Sequence, residues 1–135
     1  MSIYTALIRT HHITSRRKVS SLKSAAKKLD CYALLRSNGV PGLMYVEAET
    51  ARASQAWVDT VRELRYKDYQ LVAGVARVEV GVGAGAGGGR VLVVQRGKYG
   101  LLEEVESVKE FAGAMNERGL GLWWRTAMGY LPRED

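Results

Sequence analysis

Cys31-Tyr32-Ala33-Leu34-Leu35-Arg36-Ser37-Asn38-Gly39-Val40-Pro41-Gly42-Leu43-Met44-Tyr45-Val46 reads as a strand, a turn and a second strand. The ends are short apolar runs. The middle, Ser37 to Gly42, is dense turn chemistry in which Gly39 and Gly42 are free to take a positive φ. The two strands therefore form a hairpin-like pair. Working outward, residues 15–29 carry Val19, Leu22, Ala26 and Leu29 at spacings of three, four and three, one apolar stripe of a helix. Thr14 or Ser15 caps its start through a side-chain oxygen. Further back, Ile3 to Ile8 is apolar on both alternations, which predicts a central strand. On the other side, Ala53, Trp57, Val61 and Leu64 place a helix over about residues 50–64, and Tyr69 to Val80 is a β-branched strand. The order strand, helix, strand, strand, helix, strand predicts an α+β fold of the ferredoxin-like, split βαβ type (β-α-β-β-α-β). Right-handed crossovers put both helices on one face of a four-stranded antiparallel sheet. The other face must stay open or be covered by something else.

The chain has 135 residues, 47% hydrophobic and 25% charged, which suits one soluble domain with a core of its own and excludes a mainly disordered chain. No apolar run approaches the roughly 20 residues of a membrane helix. Arg9 comes early with no longer apolar run after it, so a signal peptide is not expected and neither is a membrane. The single cysteine, Cys31, excludes an internal disulfide and fits a reducing, intracellular compartment.

The C-terminal third extends this core. Residues 81–90 open with the low-complexity run Gly81 to Gly89, expected to be a flexible loop. Residues 91–135 would form a strand and helical extension. Arg90 to Arg96 reads as a fifth strand, followed by the turn Gly97 to Gly100. Glu103-Glu104-Val105-Glu106 reads as the acidic start of a helix, suited to the positive end of its dipole. Val108, Phe111, Ala112 and Met115 continue an apolar face that ends at Gly119. Leu120 to Trp124, running into Met128 and Tyr130, predicts a short helix that packs back on the body.

Charge is distributed unevenly. The net charge is +6, yet residues 1–40 hold eight basic side chains (Arg9, Arg16, Arg17, Lys18, Lys23, Lys27, Lys28 and Arg36) against one acid, Asp30. The remaining 95 residues hold twelve bases and thirteen acids. Arg16, Lys23 and Lys27 recur with the period of the first helix, so its outer face presents cations in a row. Such clustering marks a face for nucleic acid, an anionic surface or an acidic protein. It is also what a solvated, solubilising helix face looks like.

Other motifs carry less. Gly83, Gly85 and Gly88 spell G-x-G-x-x-G, but a dinucleotide site needs those glycines between a strand and a helix; here a predicted strand follows, and no Lys-Ser/Thr completes a phosphate loop. His11 and His12 are adjacent and in extended chain point to opposite sides, which makes them a poor metal clamp; no metal or other cofactor is expected. No nucleophile elbow or acid/base carboxylate pair is visible, so the chain does not read as an enzyme. Cys31, in phase with Ala33 and Leu35, reads as a buried small hydrophobe rather than a nucleophile. Tyr4, Tyr32, Tyr45 and Tyr69 put one tyrosine on each predicted strand. On an open sheet face they could stack on unpaired bases; otherwise they line the core or lie under the segment of Trp123 and Trp124. Arg96 to Gly100 departs from the RNP1 pattern at its third position and follows the fourth strand, so it is set aside.

Several segments, taken in order, resemble one family. Tyr4 to His12 runs a strand into His-His-Ile; a lysine-rich helix follows; then comes Gly39-Val40-Pro41-Gly42-Leu43-Met44-Tyr45-Val46-Glu47. Trp57 precedes Leu64-Arg65-Tyr66-Lys67, and Glu117-Arg118-Gly119-Leu120 precedes Trp123-Trp124. This order resembles the C-terminal domain of the pre-mRNA-processing factor three family, a small nuclear ribonucleoprotein domain also found C-terminal to RWD domains. Val40 stands where that family usually has lysine. The resemblance implies a ferredoxin-like fold, RNA as partner (a single strand or a duplex with an overhang), a part in mRNA splicing and a nuclear location, with the cytoplasm as the other compartment. It places His11, His12, Arg16, Arg17 and Lys18 near an RNA-facing loop; Arg9, Lys23 and Lys27 join them by charge. The chain carries neither that factor's long upstream region nor an RWD domain, so an excised domain and a small stand-alone relative both remain open. The rival reading is a protein-interaction adaptor that uses Trp123 and Trp124 as anchors.

Overall fold

The computed structural model describes residues 2–79 and 98–130. The elements run β1 (Ser2–Thr10), α1 (Arg16–Leu29), β2 (Tyr32–Arg36), β3 (Gly42–Ala48), α2 (Ala51–Glu63), β4 (Gln70–Glu79), β5 (Leu101–Val105), α3 (Val108–Glu117) and α4 (Gly121–Met128). The described strands form one sheet in the order β4-β1-β3-β2-β5. The first four are antiparallel neighbours, the ferredoxin-like arrangement expected from the element order. The fifth joins β2 in parallel and makes the sheet mixed.

Alternation along the strands sorts side chains into two cores. Ala6 and Ile8 of β1, Ala33 and Leu35 of β2 and Met44 and Val46 of β3 face α1 and α2, where Val19, Leu22, Trp57 and Val61 meet them. Trp57 donates its indole N–H to the Leu22 carbonyl at 3.2 Å, tying α2 to α1, and the Ser54 hydroxyl donates to the Tyr4 carbonyl at 2.7 Å, tying α2 to the sheet. Tyr69 packs at the margin of this core. On the opposite face Leu7, Tyr32, Leu34, Leu43 and Tyr45 meet Phe111, Met115 and Trp124 of α3 and α4. That face is therefore covered, and Tyr32 and Tyr45, at 2% and 0% exposure, lie under the C-terminal helices. The route in which strand tyrosines stack on bases is closed for these two.

Local chemistry sets the boundaries. Ser15 caps α1, its hydroxyl accepting from the Lys18 amide at 3.3 Å; Thr50 and Ser107 cap α2 and α3 in the same way. Asp30 ends α1 in the left-handed region at φ 56°. Gly42 is required by close approach: a Cβ there would strike the Thr10 hydroxyl and come within 2.8 Å of Ile13 Cγ1.

The C-terminal part corrects one expectation. Glu103, Glu104 and Val105 are not a helix start but the body of β5, paired with β2 from Tyr32–Leu101 to Arg36–Val105. Alternation decides it. Leu102 enters the α1/α2 core and Val105 packs on the other, while Glu104 meets Arg16 on one face and Glu103 accepts from the Tyr32 hydroxyl at 2.6 Å on the other. The helix begins later, behind the Ser107 cap, with Glu110 as its first-turn acid. The strand expected at Arg90–Arg96 and the glycine run with its G-x-G-x-x-G lie outside the described residues.

The second core holds a buried ion pair. Glu47 of β3 is fully buried. Its carboxylate accepts from Arg118 at 3.2 Å, from the Tyr45 hydroxyl at 2.9 Å and from the Tyr99 hydroxyl at 3.2 Å. The Arg118 guanidinium also lies 4.3 Å from the centre of the Tyr32 ring. The end of α3 is thus fixed to the sheet by a charged contact that the apolar stripes do not reveal. Burial and the neighbouring carboxylate hold the Tyr45 hydroxyl well above its ordinary range.

Candidate nucleic-acid interface

The segment between β1 and α1 is held on two sides. The His11 amide donates to the Lys67 carbonyl at 2.9 Å, the Asn38 amide to the Ile13 carbonyl at 3.2 Å and the Gly42 amide to the His11 carbonyl at 3.2 Å. The first bond draws the turn after α2 against the His11-His12 loop. That turn is tight, with Arg65 at φ 54° and Asp68 at φ 55°. It carries Arg65, Tyr66 and Lys67 to the start of α1.

The result is a cleft of about 200 Å³ whose wall includes His12, Ser15, Lys18, Arg65, Tyr66 and Lys67, with no acidic side chain among its described lining residues. Lys18 holds its ammonium 4.8 Å from the Tyr66 ring centre, a cation–π contact that keeps the side chain at the cleft. Tyr66 is 8% exposed, and burial pushes its hydroxyl up to about 12. Helix α1 opens here behind the Ser15 cap with no acid in its first turn, so no side-chain charge there opposes its positive end. Three fixed cations, an imidazole and a helix start converge on one concavity. Its charge and donors are of the kind that suits an anion.

The residues singled out from the sequence do not all meet there. His12 and Lys18 do. His11 turns to the other side of the loop, 3.5 Å from Asp68, in a separate groove of about 450 Å³ that also holds Arg9; the two histidine rings sit 5.0 Å apart. Arg9 donates to the Gln70 side chain at 2.9 Å. Arg16 is committed elsewhere: both terminal nitrogens donate to Glu104, at 2.9 and 2.8 Å. That carboxylate also accepts from the Ser37 hydroxyl, and the Arg16 bond holds it below the ordinary glutamate range. Lys23 and Lys27, exposed, follow Arg16 along the flank of α1 that lies beside β5, where Lys23 is close enough to favour the charged form of Glu104. Arg17 is exposed and points away from both flanks.

Arg65 and Lys67 are the additions that charge counting in the first third missed. Their signal was the segment Leu64-Arg65-Tyr66-Lys67 after the second helix, but only the fold shows which loop it faces. The tryptophans also change meaning. Trp124 is 4% exposed and packs on Phe111 with ring centres 6.1 Å apart, and Trp123 meets Tyr45 edge-on at 6.1 Å. Trp124 belongs to the second core and Trp123 lies partly buried against it; on α4 the exposed apolar side chain is Leu122, at 64%. Cys31 is buried and its thiol is pushed up to about 12 by desolvation and then by Asp30, as suits an inert core residue. Among the described residues no helix is long and apolar enough to cross a membrane, and no three His, Cys, Asp or Glu side chains gather as metal ligands. No protein-family model and no curated protein matches this sequence.

Proposed function

We propose that this protein is a non-catalytic RNA-binding module whose phosphate contacts are centred on the cleft at the start of α1. The observation that carries the reading is the convergence of His12, Lys18, Arg65 and Lys67 on a concavity with no acid among its described lining residues. Backbone phosphates are the ligand such a site positions best. The resemblance to the C-terminal domain of the pre-mRNA-processing factor three family supports RNA as the partner and extends the proposal to a small nuclear ribonucleoprotein role and a nuclear location. The ferredoxin-like core is compatible with it.

The test is fluorescence anisotropy against a single-stranded RNA, a duplex and a duplex with an overhang, each at several salt concentrations. Binding that prefers the overhang and persists at physiological salt is expected. About three neutralised phosphates would give a log–log salt slope near −2 for a single strand. Weak binding that ignores RNA structure and vanishes with salt would reduce the cleft to generic positive charge.

The second reading is a protein-interaction adaptor, and exposed Leu122 on α4 is what favours it. Leu122→Asp would then abolish partner binding and leave RNA affinity unchanged.

A further inference from the structure

The cleft is basic, but its surroundings are not. Across the start of α1, Glu104 and Glu106 line the neighbouring concavity together with Arg16. Beyond Arg65, the next concavity is lined by Asp59 and Glu63 as well as Arg62. Asp68 directly follows Lys67 and stands beside His11. A strand whose successive phosphates tracked across this surface in any of these directions would pass over carboxylates, at a repulsive cost. On these sides the cleft is bounded by acids, and at about 200 Å³ it is sized for one anionic group.

Its charge is also more than a diester needs. A phosphodiester offers one negative charge and two free oxygens. A phosphate monoester carries about −1.5 to −2 charges at neutral pH and three acceptor oxygens. Lys18, Arg65 and Lys67 are permanent cations, and His12 adds a fourth donor. From this compact cluster of cations, bounded by acids on three sides, we infer that the cleft takes the terminal phosphate monoester of an RNA strand, so that the module reads a phosphorylated end. The inference rests on the RNA reading above and narrows it from backbone to end.

The experiment compares three oligoribonucleotides of one sequence, with a 5′-phosphate, a 3′-phosphate or hydroxyls at both ends, by anisotropy at physiological salt. At least a tenfold preference for one phosphorylated end is expected. The preference should collapse in the double variant Arg65→Asn, Lys67→Gln, in which asparagine tolerates the left-handed backbone of position 65. His12→Gln, at an exposed position, is the second variant and should weaken the preference with the fold intact by circular dichroism. Equal binding of all three RNAs would overturn the end-reading and leave RNA binding standing. No binding of any RNA would overturn both. A phosphoserine peptide that binds more tightly than either phosphorylated RNA would keep the phosphate site but overturn the RNA end as its ligand.

Discussion

Two groups of basic side chains flank the start of α1, and they meet different neighbours. On the flank beside β5, Arg16 is held by both oxygens of Glu104, with Lys23 near the same carboxylate. On the flank beside the turn after α2, Lys18, Arg65 and Lys67 line a cleft with no acid among its described residues. In the sequence, Arg16 and Lys18 are two residues apart and count the same. In the fold, about 200° of helix rotation separates them, and one flank is neutralised by a strand that arrives nearly ninety residues later. Formal charge is therefore a poor guide to charge available for a ligand; what the fold lays beside each cation decides it.

The strongest test of what pairing does lies in the second core, where the same arginine–glutamate chemistry is buried. Arg118→Ala removes the Arg118 cation from the buried Glu47 carboxylate, and breaking such a pair costs about 3–5 kcal/mol. A clear fall in the urea midpoint is expected; an unchanged midpoint would mean that the other partners of Glu47 satisfy it without Arg118. At the surface, the same logic concerns availability rather than stability. Lys18→Gln with Lys67→Gln should weaken RNA binding about a hundredfold, the worth of two charge-assisted contacts of roughly 1.5 kcal/mol each. Arg16→Gln with Lys23→Gln should change it less than about twofold, because those cations are screened or already paired. Equal losses in the two double variants would erase the distinction between the flanks.

Smaller effects sharpen it. Glu104→Gln releases Arg16 beside the cleft and should tighten RNA binding by about two- to threefold at low salt, an effect that fades as salt rises. Glu104 is also a pH reporter. Its folded-state pKa lies below its unfolded value, so its contribution to stability is present above about pH 4.3 and is lost as pH falls through the folded value. For this surface pair the loss is at most about 1 kcal/mol, read as a smaller drop in stability between pH 5 and pH 3 in Glu104→Gln than in the native chain.

Much of the fold was legible because two periodicities did the sorting. The stripes Val19-Leu22-Ala26 and Trp57-Val61 place the helices, and the alternation of Tyr32 and Leu34 against Ala33 and Leu35 places β2 between two cores. β5 was not legible as a strand. Three acids within Leu101–Glu106 carry the signature of a helix start, and the parallel pairing with β2 that overrides it is a long-range contact no local pattern encodes. The candidate site was half legible for the same reason. His12 and Lys18 stand in the basic first third, whereas Arg65 and Lys67 follow the second helix and reach the cleft only through the His11–Lys67 backbone bond. The commitment of Arg16 to Glu104 was hidden with the strand that carries Glu104.

The most direct measurement is a titration of the isotope-labelled protein with a short single-stranded RNA, followed by amide chemical shifts. The account predicts that the largest changes fall on His12 to Val19 and on Arg65 to Lys67, with the Lys23–Lys27 stretch little affected. Changes centred on Lys23 and Lys27, or on α4 around Leu122, would contradict it.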